Sequence, residues 1–423
     1  MVDKKNLQNP LIWTAAVCAF LFYSGLYIPH SSDVFRSIIS QSDIIRIKGT
    51  VVSNPIKNSD GKGAYKIRFR PDHVWGRNGI SASAEGICDI YIASSFVESH
   101  FPGRLYTDYM VRKDQLPVIV DNGACFDLNV KYLPQGKNLY SDNGYALGWS
   151  NSLFGRLLHF RALCRLQFKR LMYAWGAAGG LVLALLSGSR EYTEYDTSSA
   201  FQKAGLSYVL ALSGMHLSLF SGLAFWGGNR IGSRIASYVL NFIAVVFFVW
   251  FAGFSPSLLR AFICSMILFC ASAFGVPVSM ITVLSLSFLI QSTIVPEDIL
   301  QPAFMFSYAA LSGILILGPI IHTALSVFLP DSLGSIVAAS VSAQLFTVPI
   351  AIGFFHAVMP FGIIAAVIIS PLIILFMYGA LLFIPVSLCI PCLSGTAGLL
   401  MGICYDVIKR ITVVFARIPA VTI

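Results

Sequence analysis

Charge is what this sequence has least of. Of its 423 residues only 12% are Asp, Glu, Lys or Arg, against roughly 25% in an ordinary soluble domain. The shortage is uneven. Residues 1–175 hold 21 of the 29 Lys and Arg and 13 of the 20 acids, so the remaining 248 positions carry 8 basic and 7 acidic side chains. A water-soluble fold cannot cover so long a stretch with so few charges. With 56% apolar residues and a mean hydropathy of +0.74, the C-terminal three-fifths belongs in lipid. Acids are the scarcer sign, and the net charge is +9, most of it placed before residue 176. Such an excess either holds a chain to anionic lipid or attracts a polyanion such as DNA.

Catalytic and metal-binding signatures are missing as well. The seven histidines are isolated, with no His-x-His-x-Asp-His, no His-Glu-x-x-His and no Walker glycine loop, so no metal pair or nucleotide is held by a recognised spacing. Ser213 and His216 share a helix face at i and i+3, but their run has no acid to orient the imidazole, which argues against a Ser-His hydrolase. No enzymatic activity, cofactor or metal is expected. The nine cysteines show no metal pattern. Cys18, Cys264, Cys270 and Cys404 lie in apolar runs and read as small hydrophobes. Cys389 and Cys392 have redox spacing without a thioredoxin-like setting. Cys88 and Cys125 fall in the polar insert described next, where an oxidising compartment would make them candidates for a disulfide.

What is present orders the chain into four parts. Residues 1–42 begin polar and basic, then Leu11 to Ile28 is uncharged and about long enough to span a bilayer. No small-residue cleavage site follows it, so it reads as a retained helix with a cytoplasmic N-terminus. Residues 43–140 alternate short β-branched and aromatic runs (Ile44–Val52, Tyr65–Phe69, Ile87–Ile92, Pro117–Val120, Phe126–Tyr132) with turn signals such as Asn58–Gly63. About five strands in so short a stretch suit a small barrel, of which the oligonucleotide-binding (OB) fold is one type. Residues 151–187 hold an amphipathic helix with Arg156, Arg161, Arg165, Lys169 and Arg170 and an apolar face, followed by Leu181–Leu186, too short to span. Such a helix lies in the membrane interface as an anchor, or its basic collar draws phosphates to a pore mouth. Residues 188–423 contain apolar runs near 205–227, 235–253, 257–275, 277–295, 301–328, 333–355, 360–386 and 389–405. With the first helix these make about nine spans. Arg230 and Arg234 fit a cytoplasmic loop under the positive-inside rule, which puts both the insert and the acidic Glu297-Asp298 turn outside.

Polar groups inside spans are costly and usually face a cavity or a partner. Arg260, near the start of an otherwise apolar run, either snorkels to the interface or lines a passage for phosphates. The run from residue 205 is polar on one side (Ser207, Ser213, Gly214, His216, Ser218, Ser221), and Ser213-Gly214 is placed to loosen a helix in mid-span. Ser307, Tyr308, Gln291 and Gln344 are weaker members of the same class.

These residues carry a resemblance. The stretch Phe201-Gln-Lys-Ala-Gly205-Leu-Ser-Tyr-Val-Leu210-Ala-Leu-Ser-Gly214-Met-His216 resembles the signature F-x-x-A-G-x-x-H-x-L-A-I-S-G-x-H of the ComEC-type competence DNA-uptake channels. Gly253–Ala261, Phe304–Ala310 and Ala343–Pro349 match further family stretches in the same order, and Gly49–Val52 resembles a strand of the OB-like domain that precedes the channel. The resemblance implies a polytopic α-helical membrane protein of about nine spans, with an extracytoplasmic all-β OB-like barrel inserted after the first helix. It implies uptake of single-stranded DNA through the bacterial inner membrane during natural transformation. An extracytoplasmic receptor would deliver the DNA, cytoplasmic DNA-binding or helicase proteins would collect it, and a separate nuclease and oligomerisation are compatible with it. Ser213, Gly214, His216, Arg260 and Gln344 stand where the family's recurrent polar residues stand.

The sequence also departs from the pattern. Tyr208 replaces the first signature histidine, and Ala366 stands where the family often has Asn. Long members continue into a metallo-β-lactamase-like nuclease domain near where this chain stops, so the chain is expected not to be the nuclease. A small-molecule or lipid-precursor transporter, with the polar run as a midplane site, and a non-transporting scaffold are the competing readings.

Overall fold

The computed structural model describes residues 9–24, 34–57, 64–93, 96, 119–134, 138–190, 192–232, 234–355, 357–359, 361–418 and 421–422. The chain divides into two compact units. One comprises Ser31–Tyr195 with Leu382–Ile403; the other comprises Met1–His30, Asp196–Leu381 and Cys404–Ile423.

Five long strands organise the first unit: β1 (Ile44–Val51), β2 (Ala64–Gly76), β3 (Cys88–Ala93), β4 (Ala124–Leu133) and β5 (Asn138–Trp149). Antiparallel ladders join β1 to β2 and β4, β2 to β3, and β4 to β5, while β3 runs parallel to β5. The pairings return to their start, so the sheet closes on itself in the order β1-β2-β3-β5-β4. Closure leaves none of these five strands as a free edge. Alternation in the sequence supplies the interior, where Ile47, Ile67, Phe69, Ile90, Phe126 and Leu128 are at most 1% exposed. Gly49 lets β1 and β2 approach closely at a register shift, since a Cβ there would overlap the Arg70 carbonyl oxygen.

Four of these strands fall where the sequence predicts them. β5 does not, because Ser141-Asp142-Asn143-Gly144 has the composition of a turn. It is held in the sheet by ladders to β4 and β3, and at Gly144 the backbone of β4 leaves no room for a side chain. The sheet thus ends at Trp149, beyond the expected boundary at 140. The strand expected at 117–120 and the turn at 58–63 fall wholly or largely outside the described residues.

The amphipathic helix is α2 (Leu153–Ala174), with Ser152 Oγ accepting from the Gly155 N–H at 3.0 Å. Its polarity is turned inside out. Leu153, Phe154, Leu157 and Phe160 are 55–80% exposed, while Arg161, Arg165 and Lys169 are buried. α3 (Gly176–Ser187) follows as a buried apolar helix of 12 residues, too short to span, as expected.

The other helices are α1 (Pro10–Tyr23), α4 (Tyr195–Lys203), α5 (Gly214–Arg230), α6 (Arg234–Ala252), α7 (Pro256–Ala273), α8 (Met280–Ile294), α9 (Pro302–Ile316), α10 (Gly318–Leu325), α11 (Asp331–Phe355), α12 (Gly362–Cys389) and α13 (Ser394–Ala416). Four of them, α6, α7, α11 and α12, are long and apolar enough to cross a membrane, and α9 with α10 makes a fifth if that pair, bent by 48°, is one span. The expected nine are therefore not found among the described residues. Several apolar runs are shorter as helices than as sequence: α1 has 14 residues and α8 has 15. The run at 205–227 is broken, with turns up to Leu212 and a helix only from Gly214.

Within the second unit α5 and α6 form a hairpin. Ser221 Oγ donates to Asn241 Oδ1 at 2.7 Å and Ser237 Oγ to Asn229 Oδ1 at 2.8 Å, and Gly228 leaves no room for a Cβ against Ser237. Asn9 Nδ2 donates to Thr282 Oγ1 at 3.1 Å, and Phe22 of α1 joins an aromatic cluster with Phe288, Phe304 and Tyr308.

Cys88 and Cys125 are free thiols, so the disulfide weighed from the sequence is not formed. Cys88 pairs with Phe69 on β2 and Cys125 with Thr50 on β1, so β2 and β1 lie between them one way round the ring; the other way β5 intervenes, with Cys125 opposite Gly148 at its end and β3 meeting it at Leu139–Ser141 near its start. Strands are spaced about 4.8 Å apart, and the gap exceeds the roughly 7 Å between Cα atoms that a disulfide tolerates. Burial pushes the Cys88 thiol up to about 12. In a variant keeping only these two cysteines, native labelling with a maleimide at pH 8 is expected at Cys125 alone, equally with and without reductant, and at Cys88 only after unfolding. Labelling that rises on reduction would contradict this assignment.

Candidate functional site

The break before α5 builds the most polar corner of the second unit. Ser213 is extended (φ −135°, ψ 171°) and stands at the N-terminus of α5. Its N–H donates to His216 Nδ1 at 3.1 Å, and its Oγ lies 3.1 Å from the same nitrogen. A donor into Nδ1 leaves the ring proton on Nε2. His216 is 0% exposed, and its Nε2 meets no hydrogen-bond partner among the described residues. Gly214 permits the next contact: a Cβ there would lie 3.3 Å from Ala261 Cβ and 3.5 Å from an Arg260 terminal nitrogen. The first turn of α5 therefore rests on the early turns of α7, whose own N-terminus is capped by Ser255.

Arg260 projects from α7 and donates to the Ser307 carbonyl oxygen, with its guanidinium carbon 5.8 Å from the centre of the Tyr308 ring. Its Nε is buried without a hydrogen-bond partner, and among the described residues it makes no ion pair. A chain of hydrogen bonds fixes the ring beneath it. Tyr308 Oη donates to Gln291 Oε1 at 3.0 Å and lies 3.4 Å from Ser287 Oγ. Gln291 Nε2 donates to Asp298 Oδ2 at 3.0 Å and to the Pro256 carbonyl at 3.1 Å, and Gln301 Nε2 donates to Asp298 Oδ1 at 3.0 Å. Tyr308, Gln291 and Asp298 are all buried, so each hydrogen bond removed would leave a polar group one partner short in a low-dielectric setting.

The structure thus brings Ser213, Gly214, His216, Arg260 and Ser307 together, Ser307 by its carbonyl rather than its hydroxyl. It does not bring the other two to them. Gln344 sits on α11 with its Nε2 3.5 Å from a Cβ built on Gly362, and Tyr208, 55% exposed in the turn before α5, meets Ser370. His216 is sealed from open space, while Ser213, Gly214, Arg260 and Ser307 are half-buried. One concavity in the same unit, of about 10 Å³, involves Lys203, Met359 and Gly362, and another lies on the surface of α13. Neither is lined by Arg260 or His216.

The basic collar also needs correction. Arg156 is exposed and Arg170 half-buried, but Arg161 and Arg165 turn inward to one carboxylate. Arg165 Nε lies 3.1 Å from Asp121 Oδ2, Arg161 Nη1 lies 3.8 Å from Asp121 Oδ1, and Arg161 Nη2 donates to Asn54 Oδ1 at 3.3 Å. Desolvation, with Arg165 adding repulsion, pushes Arg161 down to about 10. Lys169 is buried as well. These three serve the packing of α2 in the first unit.

The strand alternation conceals a feature that the sequence reading missed. Arg46 pairs in register with Trp75, and Lys48 with His73, on the outer face of β1 and β2. The Arg46 guanidinium carbon is 4.9 Å from the Trp75 ring centre and holds Asp127 in a two-pronged ion pair at 2.7 and 2.6 Å. That hydrogen-bonded pair keeps the Asp127 carboxyl below its usual range. The signal was in the sequence, as Arg46 and Lys48 alternate with inward Ile47. Among the described residues no group of three or more His, Cys, Asp or Glu is placed to hold a metal ion.

A family model described as Competence protein matches residues 185–423. ComE operon protein 3 of Bacillus subtilis (strain 168) is 29% identical over 178 residues, which is 42% of this chain and 22% of that protein. The chain thus aligns with about a fifth of that relative's length. No solved structure matches.

Gln291→Leu removes one hydrogen bond each from Asp298 and Tyr308, which keep Gln301 and Ser287 as partners. The expected cost is about 0.5–1.5 kcal/mol for each hydrogen bond lost, read as a lower melting temperature of the full chain in detergent. An unchanged melting temperature would show that the chain of hydrogen bonds is not formed.

Proposed function

The chain belongs to the competence protein family, and on that footing we propose that it forms a channel that carries single-stranded DNA through the bacterial inner membrane during natural transformation. The observation that carries this reading is Arg260: a guanidinium beside the N-terminus of α5, with no ion pair among the described residues. A passing strand brings one negative charge per nucleotide, which bare hydrocarbon excludes. A route for it needs polar walls and a few cations, attractive enough to admit phosphates and sparse enough to release them. Arg260, the amide end of α5 and the hydroxyl of Ser213 offer such a place. The strand passes when the start of α5 parts from α7 and a phosphate oxygen replaces the Ser307 carbonyl as the acceptor of Arg260. Gln344 and Tyr208 act elsewhere along that route.

We read the closed ring of β1–β5 as an OB-like domain on the extracytoplasmic side, with the N-terminus in the cytoplasm. The strand order and the parallel ladder of β3 with β5 support this, as does an outer face carrying Lys48, His73 and Trp75, on which Arg46 is already paired with Asp127. Cations beside aromatic rings suit unpaired bases and their phosphates. The chain has no nucleotide-binding motif, so the driving force comes from cytoplasmic DNA-binding or helicase proteins, with an extracytoplasmic receptor delivering DNA and a separate nuclease removing the other strand.

Arg260→Ala is expected to lower uptake of labelled DNA into the cytoplasm at least tenfold at unchanged protein level in the membrane, and Arg260→Lys to keep part of it. Normal uptake in the Ala variant would remove Arg260 from the route. Unaltered uptake after deletion of the whole gene in a competent strain would remove the function.

A further inference from the structure

We propose that the last helix carries a binding site for the headgroup of an anionic phospholipid. The site lies on α13 beyond Cys404, and it stands or falls independently of DNA transport.

The helix has two faces here. Tyr405, Ile408 and Thr412 are buried, and Val407, Arg410, Val414 and Arg417 are exposed. The exposed four follow one another at intervals of three and four, so they form one stripe along the helix. The stripe changes character along its length: Cys404 and Val407 come first, and the cations come in the last turns. On this side Asp406, Lys409, Arg410, Val413, Val414 and Arg417 border a shallow, open groove along the surface of this one helix. Arg410 and Arg417 face one acid, Asp406, so the groove attracts an anion. Lys409 Nζ lies 5.8 Å from the centre of the buried Tyr405 ring, toward the packed face of the helix.

The chemistry favours lipid over a polynucleotide. Two valines stand among the cations, which suits a molecule with a charged head and apolar chains. Among the described residues no aromatic side chain lines the groove, so a strand would find no ring there to stack on. The stripe is the face of α13 opposite its buried residues, where an integral membrane protein meets lipid. Phospholipid phosphate lies at the level where apolar helix surface gives way to cations, and each Lys or Arg near an anionic membrane surface strengthens binding about fivefold.

The test uses the full-length chain in detergent, titrated with phosphatidylglycerol or phosphatidylcholine and read by native mass spectrometry. The wild-type chain is expected to retain phosphatidylglycerol preferentially. Replacing both Arg410→Gln and Arg417→Gln should weaken that retention about thirtyfold without altering phosphatidylcholine, and Arg410→Lys with Arg417→Lys should preserve it. Equal retention of both lipids by the wild type, or unchanged phosphatidylglycerol retention in the Gln pair, overturns the proposal. So does a single-stranded oligonucleotide that binds the wild type but not the Gln pair while phosphatidylglycerol shows no preference, which would assign the groove to nucleic acid.

Discussion

A guanidinium held among apolar helices, with no carboxylate in contact among the described residues, sets the terms for the second unit. Arg260 stands in the second turn of a helix long and apolar enough to cross a membrane, where a charged side chain is costly, so its surroundings have to be arranged for it. Here the arrangement is indirect. The Ser307 carbonyl accepts from Arg260, the Tyr308 ring lies beneath it, and among the described residues the Asp298 carboxylate is linked to that ring through Gln291. The negative charge is kept near but not in contact. A direct ion pair would satisfy Arg260 and remove its attraction for a passing anion, whereas this layout holds the side chain in place and leaves its charge available.

The first unit uses arginine in the opposite way. Arg161 and Arg165 converge on Asp121 and are buried with it, together with Leu166, Phe168, Leu171 and Met172, while Leu153, Phe154, Leu157 and Phe160 stay exposed. Removing one partner of a buried ion pair leaves an uncompensated charge and is strongly destabilising. One chain thus holds neutralised arginines where it needs a fixed helix and an uncompensated one where its proposed cargo is anionic.

Much of this was legible in the sequence and some was not, for identifiable reasons. The absence of charge located the membrane part, and alternation located β1 to β4. β5 stayed hidden because Asn143 and Gly144 carry turn chemistry that ladders on both sides override. Helix lengths were misjudged where hydropathy runs across a break: Val209, Leu210 and Leu212 are apolar yet lie in turns, so the run at 205–227 contains a helix start rather than a span. The cluster of Ser213, Gly214, His216 and Arg260 was anticipated as a set, but its members' roles were not. His216 is spent on the Ser213 N–H, and Ser307 takes part by its backbone, which no side-chain pattern can announce. Periodicity gave the basic side of α2 without saying which way it faces, because that depends on Asp121, far away in sequence.

The central claim is that the contact between α5 and α7 at Gly214 and Ala261 must open for DNA to pass. Its most direct test replaces both with cysteine, in a chain otherwise free of reactive thiols, and follows labelled DNA entering the cytoplasm before and after oxidation. The account predicts that the crosslink stops entry and that reductant restores it. Undiminished entry through the crosslinked protein would contradict it.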